Sequence, residues 1–156
     1  MPRVEGHNLL RQKMAFPQDF TDEFNLVFIP FQQWQQRDVD SWVPLAEWLE
    51  REIPYFNYYE FPTLPRNNPI YRFMLNEGMR AGIPDSATRA RTVTLYLDKQ
   101  QFRTDLDIAS EDEISVMLFD GFGQLLWRTT GPYTLEKATE LNRVLEYQNQ
   151  NLIAYV

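Results

Sequence analysis

The chain of 156 residues contains no cysteine and one histidine, His7. Without sulfur there can be no disulfide, no thiolate nucleophile, no cysteine-ligated zinc and no thiol redox step, because each needs a thiol at a defined place. One imidazole rules out a multi-histidine metal site. A Ser-His-Asp triad would have to draw His7 from a segment expected to be a loose N-terminal tail. Catalysis, if present, is left to carboxylates, Lys, Tyr or Ser. Basic residues are also scarce: 15 Lys and Arg stand against 22 Asp and Glu, a net charge of -7. That sign opposes a phosphate backbone, and no basic run interleaved with aromatics offsets it, so no nucleic-acid partner is expected. Long apolar runs are missing too. Stretches such as Leu26 to Phe31 and Val116 to Phe119 fall far below the roughly 20 residues of a membrane helix. The opening residues lack an apolar signal core, so the expectation is a cytoplasmic protein with no membrane span.

What is present suits a packed core. Hydrophobic residues make up 44% and aromatics 15%, and a chain of about 150 residues buries close to 70% of the surface it exposes unfolded. The expected organisation is one domain over 1–156, with residues 1–24 as an N-terminal extension carrying a short hairpin. The run Asn25 to Phe31 reads as a strand buried on both faces and central in a sheet. Val39, Trp42, Val43, Ala46, Leu49 and Ile53 then recur at helical spacing. Ser41 or Asp38 can cap this helix, which puts Pro44 either in the first turn or at a bend. Tyr55 to Phe61 reads as a second strand, parallel to the first. Asn68 and Pro69 open a further helix with Ile70, Phe73 and Met74 on one side, stopped by Gly82 and Pro84.

Thr92 to Leu97 alternates as a strand, and Asp98 can cap a short helix that sets Phe102 and Leu106 one turn apart. Ile114 to Phe119, the turn Asp120 to Gly123, and Gln124 to Arg128 form a hairpin. Gly131-Pro132 breaks the chain. Thr134 then caps a closing helix whose inner face carries Leu135, Ala138, Leu141, Val144 and Leu145. The order β-α-β-α-β-α-β-β-α implies an α/β fold with a mixed sheet and helices on both faces.

A strand-helix-strand half followed by a hairpin and a final helix resembles the thioredoxin fold, in the longer form of peroxiredoxins and membrane-anchored bacterial thiol reductases. Lys13 to Phe20 resembles the opening Leu-Pro hairpin of those families. Val43-Pro-Leu-Ala46 resembles their helix bearing Pro, and Phe119 to Trp127 resembles their closing hairpin. More narrowly, Phe31-Gln-Gln-Trp34 with Val39-Asp-Ser-Trp42, and Asp120, Gly123, Trp127, Gly131 and Glu136, resemble the mitochondrial ATP synthase assembly factor called Atp ten. That family also lacks the redox cysteines. The resemblance covers roughly residues 25 to 145 and implies a thioredoxin-like three-layer α/β/α sandwich with a C-terminal hairpin and helix. If Trp34 takes the place of the Trp before Cys-x-x-Cys, Gln35 and Asp38 stand where the two thiols would be. The cis-Pro segment of the redox members is here Ser110-Glu-Asp-Glu113, without Pro.

The loop after the central strand is the first candidate surface, since α/β folds bind ligands at the carboxyl ends of their strands. Its candidate partner- or ligand-binding residues are Gln33, Trp34, Gln35, Gln36, Arg37, Asp38 and Trp42. The plainer alternative packs Trp34 into the core and leaves the glutamines solvated. The aromatic set Trp42, Trp48, Tyr55, Phe56, Tyr58, Tyr59 and Phe61 exceeds what one helix and strand bury on one face, so some should be exposed and could form a protein or homodimer interface. Asp105, Asp107, Glu111, Asp112 and Glu113 lack calcium-loop spacing and read as a solvated acidic loop. Arg66, Arg72, Arg80, Arg89 and Arg91 read as scattered surface charge. No cofactor and no metal is expected. The leading functional expectation is a non-enzymatic protein-binding factor, assembly- or chaperone-like. The alternative is an enzyme or small-molecule binder that reuses a cleft beside Trp34 and Asp38.

Overall fold

The computed structural model describes residues 1–65 and 85–154. Its β-strands are β1 (Val4–Asn8), β2 (Lys13–Phe16), β3 (Phe24–Ile29), β4 (Phe56–Glu60), β5 (Thr63–Pro65), β6 (Val93–Leu97), β7 (Ser115–Phe119) and β8 (Leu125–Thr130). Its helices are α1 (Gln36–Glu52), α2 (Ser86–Arg91), α3 (Lys99–Asp105) and α4 (Leu135–Ala154). The helix expected from Asn68 to Gly82 and Pro84, with Pro69, Ile70, Phe73 and Met74, lies outside the described residues, as do Arg66, Arg72 and Arg80.

Two four-stranded ladders, in the orders β2-β1-β6-β5 and β4-β3-β7-β8, share one stretch of chain. β3 pairs parallel with β4 and antiparallel with β7. Beyond Glu60 the chain keeps bonding to the segment after β3, with Thr63 N–H donating to the Pro30 carbonyl. On its other side the Pro62 carbonyl accepts from Leu95 N–H. A parallel bridge between Glu60 and Thr92 joins the same seam. The result is a mixed sheet with β3 inside it, and all six residues of β3 are buried. Strand periodicity sorts them to two cores. Val27 and Ile29 join Phe16, Phe20, Tyr59, Phe61, Leu95 and Phe119 on one face. Phe24, Leu26 and Phe28 join Trp42, Leu49, Tyr58 and Leu141 on the other. β4 alternates the same way, so its aromatic run fills both faces at once.

The first 24 residues are not a loose tail. β1 and β2 pair as a hairpin, Val4 opposite Phe16 and His7 opposite Lys13, and β1 also pairs antiparallel with β6, because the otherwise free edge of β6 offers it hydrogen bonds. The β7–β8 turn lies against the N-terminal segment and is closed by Asp120, whose carboxylate accepts from Phe122 N–H and Gln124 N–H at 2.9 and 2.8 Å. Gly123 there has a φ of +86°, and a Cβ would come within 2.5 Å of Pro17 Cβ, so only glycine fits.

Helix α1 buries Val39, Trp42, Ala46 and Leu49, which share a face at helical spacing. It begins earlier than either proposed cap allows. Pro44 therefore lies inside it, on the exposed side, where it removes one backbone hydrogen bond to Asp40. Ser41 is no cap: its hydroxyl donates to the Asp38 carbonyl and accepts from Tyr133 N–H. In α4, Thr134 Oγ1 accepts from Lys137 N–H as a cap. Ala138, Leu141 and Leu145 are buried, but Leu135, expected on the inner face, is 74% exposed in the first turn, before the helix meets the sheet. Asp98 caps α3 through Gln101 N–H and places Phe102 and Leu106 in the core.

Candidate functional site

The loop at the end of β3 turns once between Gln32 and Gln35 before α1 begins. Its conformation is set by a side chain that the sequence offered as a binding group. Gln35 is completely buried. Its carbonyl oxygen accepts from Phe31 N–H at 2.8 Å and Gln32 N–H at 3.2 Å, and its amide donates to the Glu111 carbonyl at 2.6 Å. A glutamine can do this because its amide carries acceptor and donors together. One residue thus ties the β3–α1 loop to the segment before β7. Where the resemblance placed a first thiol and a facing cis-Pro, the chain has a buried amide and a proline-free segment bonded to each other.

The candidate residues divide three ways. Gln33, Trp34, Arg37 and Asp38 share the surface. Trp34 is 53% exposed, and the Arg37 guanidinium lies 5.8 Å from its ring centroid while approaching Asp38 at 3.9 Å. Gln35 and Trp42 point inward. Trp42 is a core residue whose indole N–H donates to the Gly131 carbonyl at 3.0 Å, with Tyr133 and Trp127 edge-on to its ring. Gln36 turns to another side of α1, donating to Asp40 at 3.0 Å and weakly to Glu60 at 3.4 Å.

Gln36 leads to a site that the sequence reading passed over. A cleft of about 100 Å³ between α1, β4 and α2 is lined by Phe28, Val39, Val43 and Tyr58, with Gln36, Asp40 and Glu60 among its polar members. Trp34 and Asp38 are not part of it. Glu60 is 8% exposed, and its Oε1 has no hydrogen-bond partner among the described residues. Burial pushes its carboxyl up to about 7, with nearby Asp40 adding to the rise and Gln36 opposing it. A signal existed in the sequence: Phe56, Tyr58 and Glu60 share one strand parity, so a strand whose aromatic residues face inward must carry this lone carboxylate inward as well.

Arg91, expected as scattered surface charge, is held instead. It donates to Asn57 Oδ1, the Tyr58 carbonyl and both oxygens of Glu50, and stacks 3.8 Å from the Tyr58 ring centroid. The acidic segment is partly paired, since Glu111 bridges Lys99 at 2.9 Å and Arg103 at 3.8 Å. Among the described residues no group of three or more His, Asp or Glu is arranged to hold a metal ion. No helix among them is long and apolar enough to cross a membrane. Of the aromatic set, Trp48 and Tyr55 are exposed, at 47% and 68%, and the other five are buried.

No protein family's sequence profile and no curated protein matches the chain. Solved structures do resemble it. The exposed lipoprotein thioredoxin of Streptococcus pneumoniae superposes with a TM-score of 0.56 at 14% identity, over 92% of this chain and 98% of that one. BsSco, a member of the Sco family of cytochrome c oxidase assembly proteins, gives 0.57 at 12% identity, over 92% of each chain. The thioredoxin domain of a thiol-disulfide oxidoreductase from Bacteroides vulgatus gives 0.54 at 14% identity, over 91% of each. Likeness at this identity carries the fold alone: the chain is a cysteine-free protein of thioredoxin-like α/β fold.

Proposed function

We propose that this chain is a binding protein built on a thioredoxin-like scaffold, acting in assembly of another protein and without thiol-disulfide chemistry. The carrying observation is the Gln35 amide, buried and hydrogen-bonded through both its oxygen and its nitrogen at the position that the resemblance assigns to a thiol. It leaves Trp34 beside it as an exposed, flat, amphipathic anchor, with the Arg37 guanidinium 5.8 Å from its ring centroid. Residues of this kind dominate protein interfaces because they bury large area at low entropy cost. Support for assembly as the role comes from the assembly-factor resemblance and from the Sco-family neighbour, whose own role is assembly of cytochrome c oxidase. A cytoplasmic location belongs to the same proposal, checked by fractionating the source cells.

Affinity capture with the wild-type chain, Trp34→Ala and Tyr147→Ala tests the reading. A specific protein should be retained by wild type and Tyr147→Ala and lost by Trp34→Ala, with all three thermal midpoints within about 4 °C of one another. Equal capture by Trp34→Ala counts against it.

A further inference from the structure

The Glu60 cleft combines features that apolar packing alone does not explain. Its walls are the side chains of Phe28, Val39, Val43 and Tyr58, and its acids are Asp40 from α1 and Glu60 from β4. The strand alternation of β4 directs Glu60 toward α1, alongside Tyr58 and Phe56. There it lies more than nine-tenths buried, and among the described residues Oε1 has no hydrogen-bond partner and the only side-chain hydrogen bond to the carboxylate is the 3.4 Å approach of Gln36. A buried acid normally has a cation or several donors. The cation that lines this cleft is committed elsewhere, since both Arg91 terminal nitrogens bond Glu50, Asn57 and the Tyr58 carbonyl. The polar neighbours from α2 and its end, Thr88 and Thr92, bond each other, with the Thr92 hydroxyl donating to the Thr88 carbonyl.

We propose that the cleft is a binding site for a primary ammonium group on an unbranched alkyl stem, either a lysine side chain of a partner or a free alkylamine. Its chemistry matches on both counts. The stem lies against Phe28, Val39, Val43 and Tyr58. The ammonium supplies three donors, which reach the Glu60 carboxylate and the exposed Asp40 at the mouth. Gln36, whose bond to Glu60 is long at 3.4 Å and whose other partner is the exposed Asp40, is the group that gives way. Around Glu60 the titratable and charged groups are Asp40 from α1, Tyr58 from its own strand, and Arg91 from α2 with its partner Glu50. A volume of about 100 Å³ exceeds the roughly 10–15 Å³ that one water occupies on such a measure, leaving room for a short chain of atoms. This site is separate from the Trp34 surface, and neither proposal depends on the other.

The test is an NMR titration of the whole chain with n-butylammonium, with n-butanol as the uncharged analogue of the same stem. Amide signals of Tyr58 and Glu60 should move saturably with the amine and not with the alcohol. The amine stays protonated across the range, as a lysine does, so affinity should follow Glu60 ionisation and be about tenfold tighter at pH 8 than at pH 6. Glu60→Gln should abolish the saturable shift. Should that variant fold poorly, the wild-type chain alone suffices, because binding at pH 7 should release roughly half a proton per amine. Tighter binding of N-acetyl-lysine amide than of n-butylammonium would assign the site to a partner's lysine, and the reverse order to a free amine. No saturable shift, equal response to the alcohol, or binding unchanged in Glu60→Gln overturns the proposal.

Discussion

The Gln35 amide donates a 2.6 Å hydrogen bond to the Glu111 carbonyl, joining segments 76 residues apart in the chain. With its two backbone donors from Phe31 and Gln32, this side chain holds the loop that presents Trp34. Gln35→Ala would leave two backbone N–H groups and one carbonyl without their partner and open a void. The expected loss of stability is about 2–4 kcal/mol, read as a lower denaturant midpoint with unchanged slope. A loss below roughly 0.5 kcal/mol, the usual range for surface substitutions, would show that the tie does not hold the loop.

Glu60 should impose a pH dependence of defined sign. Its folded carboxyl titrates at about 7, against an ordinary value of 4.5. Between those values the folded chain keeps a proton that the unfolded chain has released, so this group lowers stability as pH rises through that window. The full cost above pH 7 is about 3 kcal/mol at most. Glu60→Gln should therefore gain on the wild type steadily from pH 4.5 to 7, in urea melts taken at each pH. A constant difference between the two across that range would contradict the assignment.

Trp42 and Trp34 should behave oppositely. Trp42→Phe removes a buried indole and orphans the Gly131 carbonyl, with an expected cost of about 2–4 kcal/mol. Trp34→Ala should cost under about 1 kcal/mol, since half of that side chain already faces solvent. Single-tryptophan variants provide the check: acrylamide should quench Trp34 fluorescence readily and leave Trp42 nearly untouched.

Arg91→Lys should weaken the cover over Tyr58. A lysine keeps the charge but loses the planar fork that reaches Glu50, Asn57 and the Tyr58 carbonyl together. The expected cost is about 1–2 kcal/mol. Burial raises the Tyr58 phenol and Arg91 opposes that rise. Spectrophotometric titration should therefore show one tyrosine moving further upward in Arg91→Ala.

Much of the scaffold was legible because patterning and burial agree. The six residues of β3 are apolar enough to read as an internal strand, and Asp98, Thr134 and the Asp120 turn carry their hydrogen bonds locally. Pro44 and Leu135 misled for opposite reasons. Helix α1 starts upstream of both polar caps because the Gln35 tie begins it, and Leu135 belongs to the helical apolar series while lying beyond the sheet. At the candidate site, residue type suggested a surface for all seven positions, although the helical spacing of Trp42 with Val39, Ala46 and Leu49 already marks it as core. Gln35 is buried through its bond to Glu111, 76 residues away. Such a pairing has no local periodicity. Glu60 was readable from strand parity, but an aromatic-rich run drew attention to its rings.

The central claim, partner recognition through the Trp34 surface on a scaffold without thiols, is tested most directly by site-specific photocrosslinking in the source cells. A benzophenone amino acid replaces the exposed Gln33, next to an intact Trp34, in one variant and Tyr147, which is 63% exposed on α4, in another. The expected outcome is one discrete protein adduct at position 33 that is absent at position 147, insensitive to reducing agent and lost when Trp34→Ala is added. No adduct at 33, or the same adducts at both positions, would contradict it.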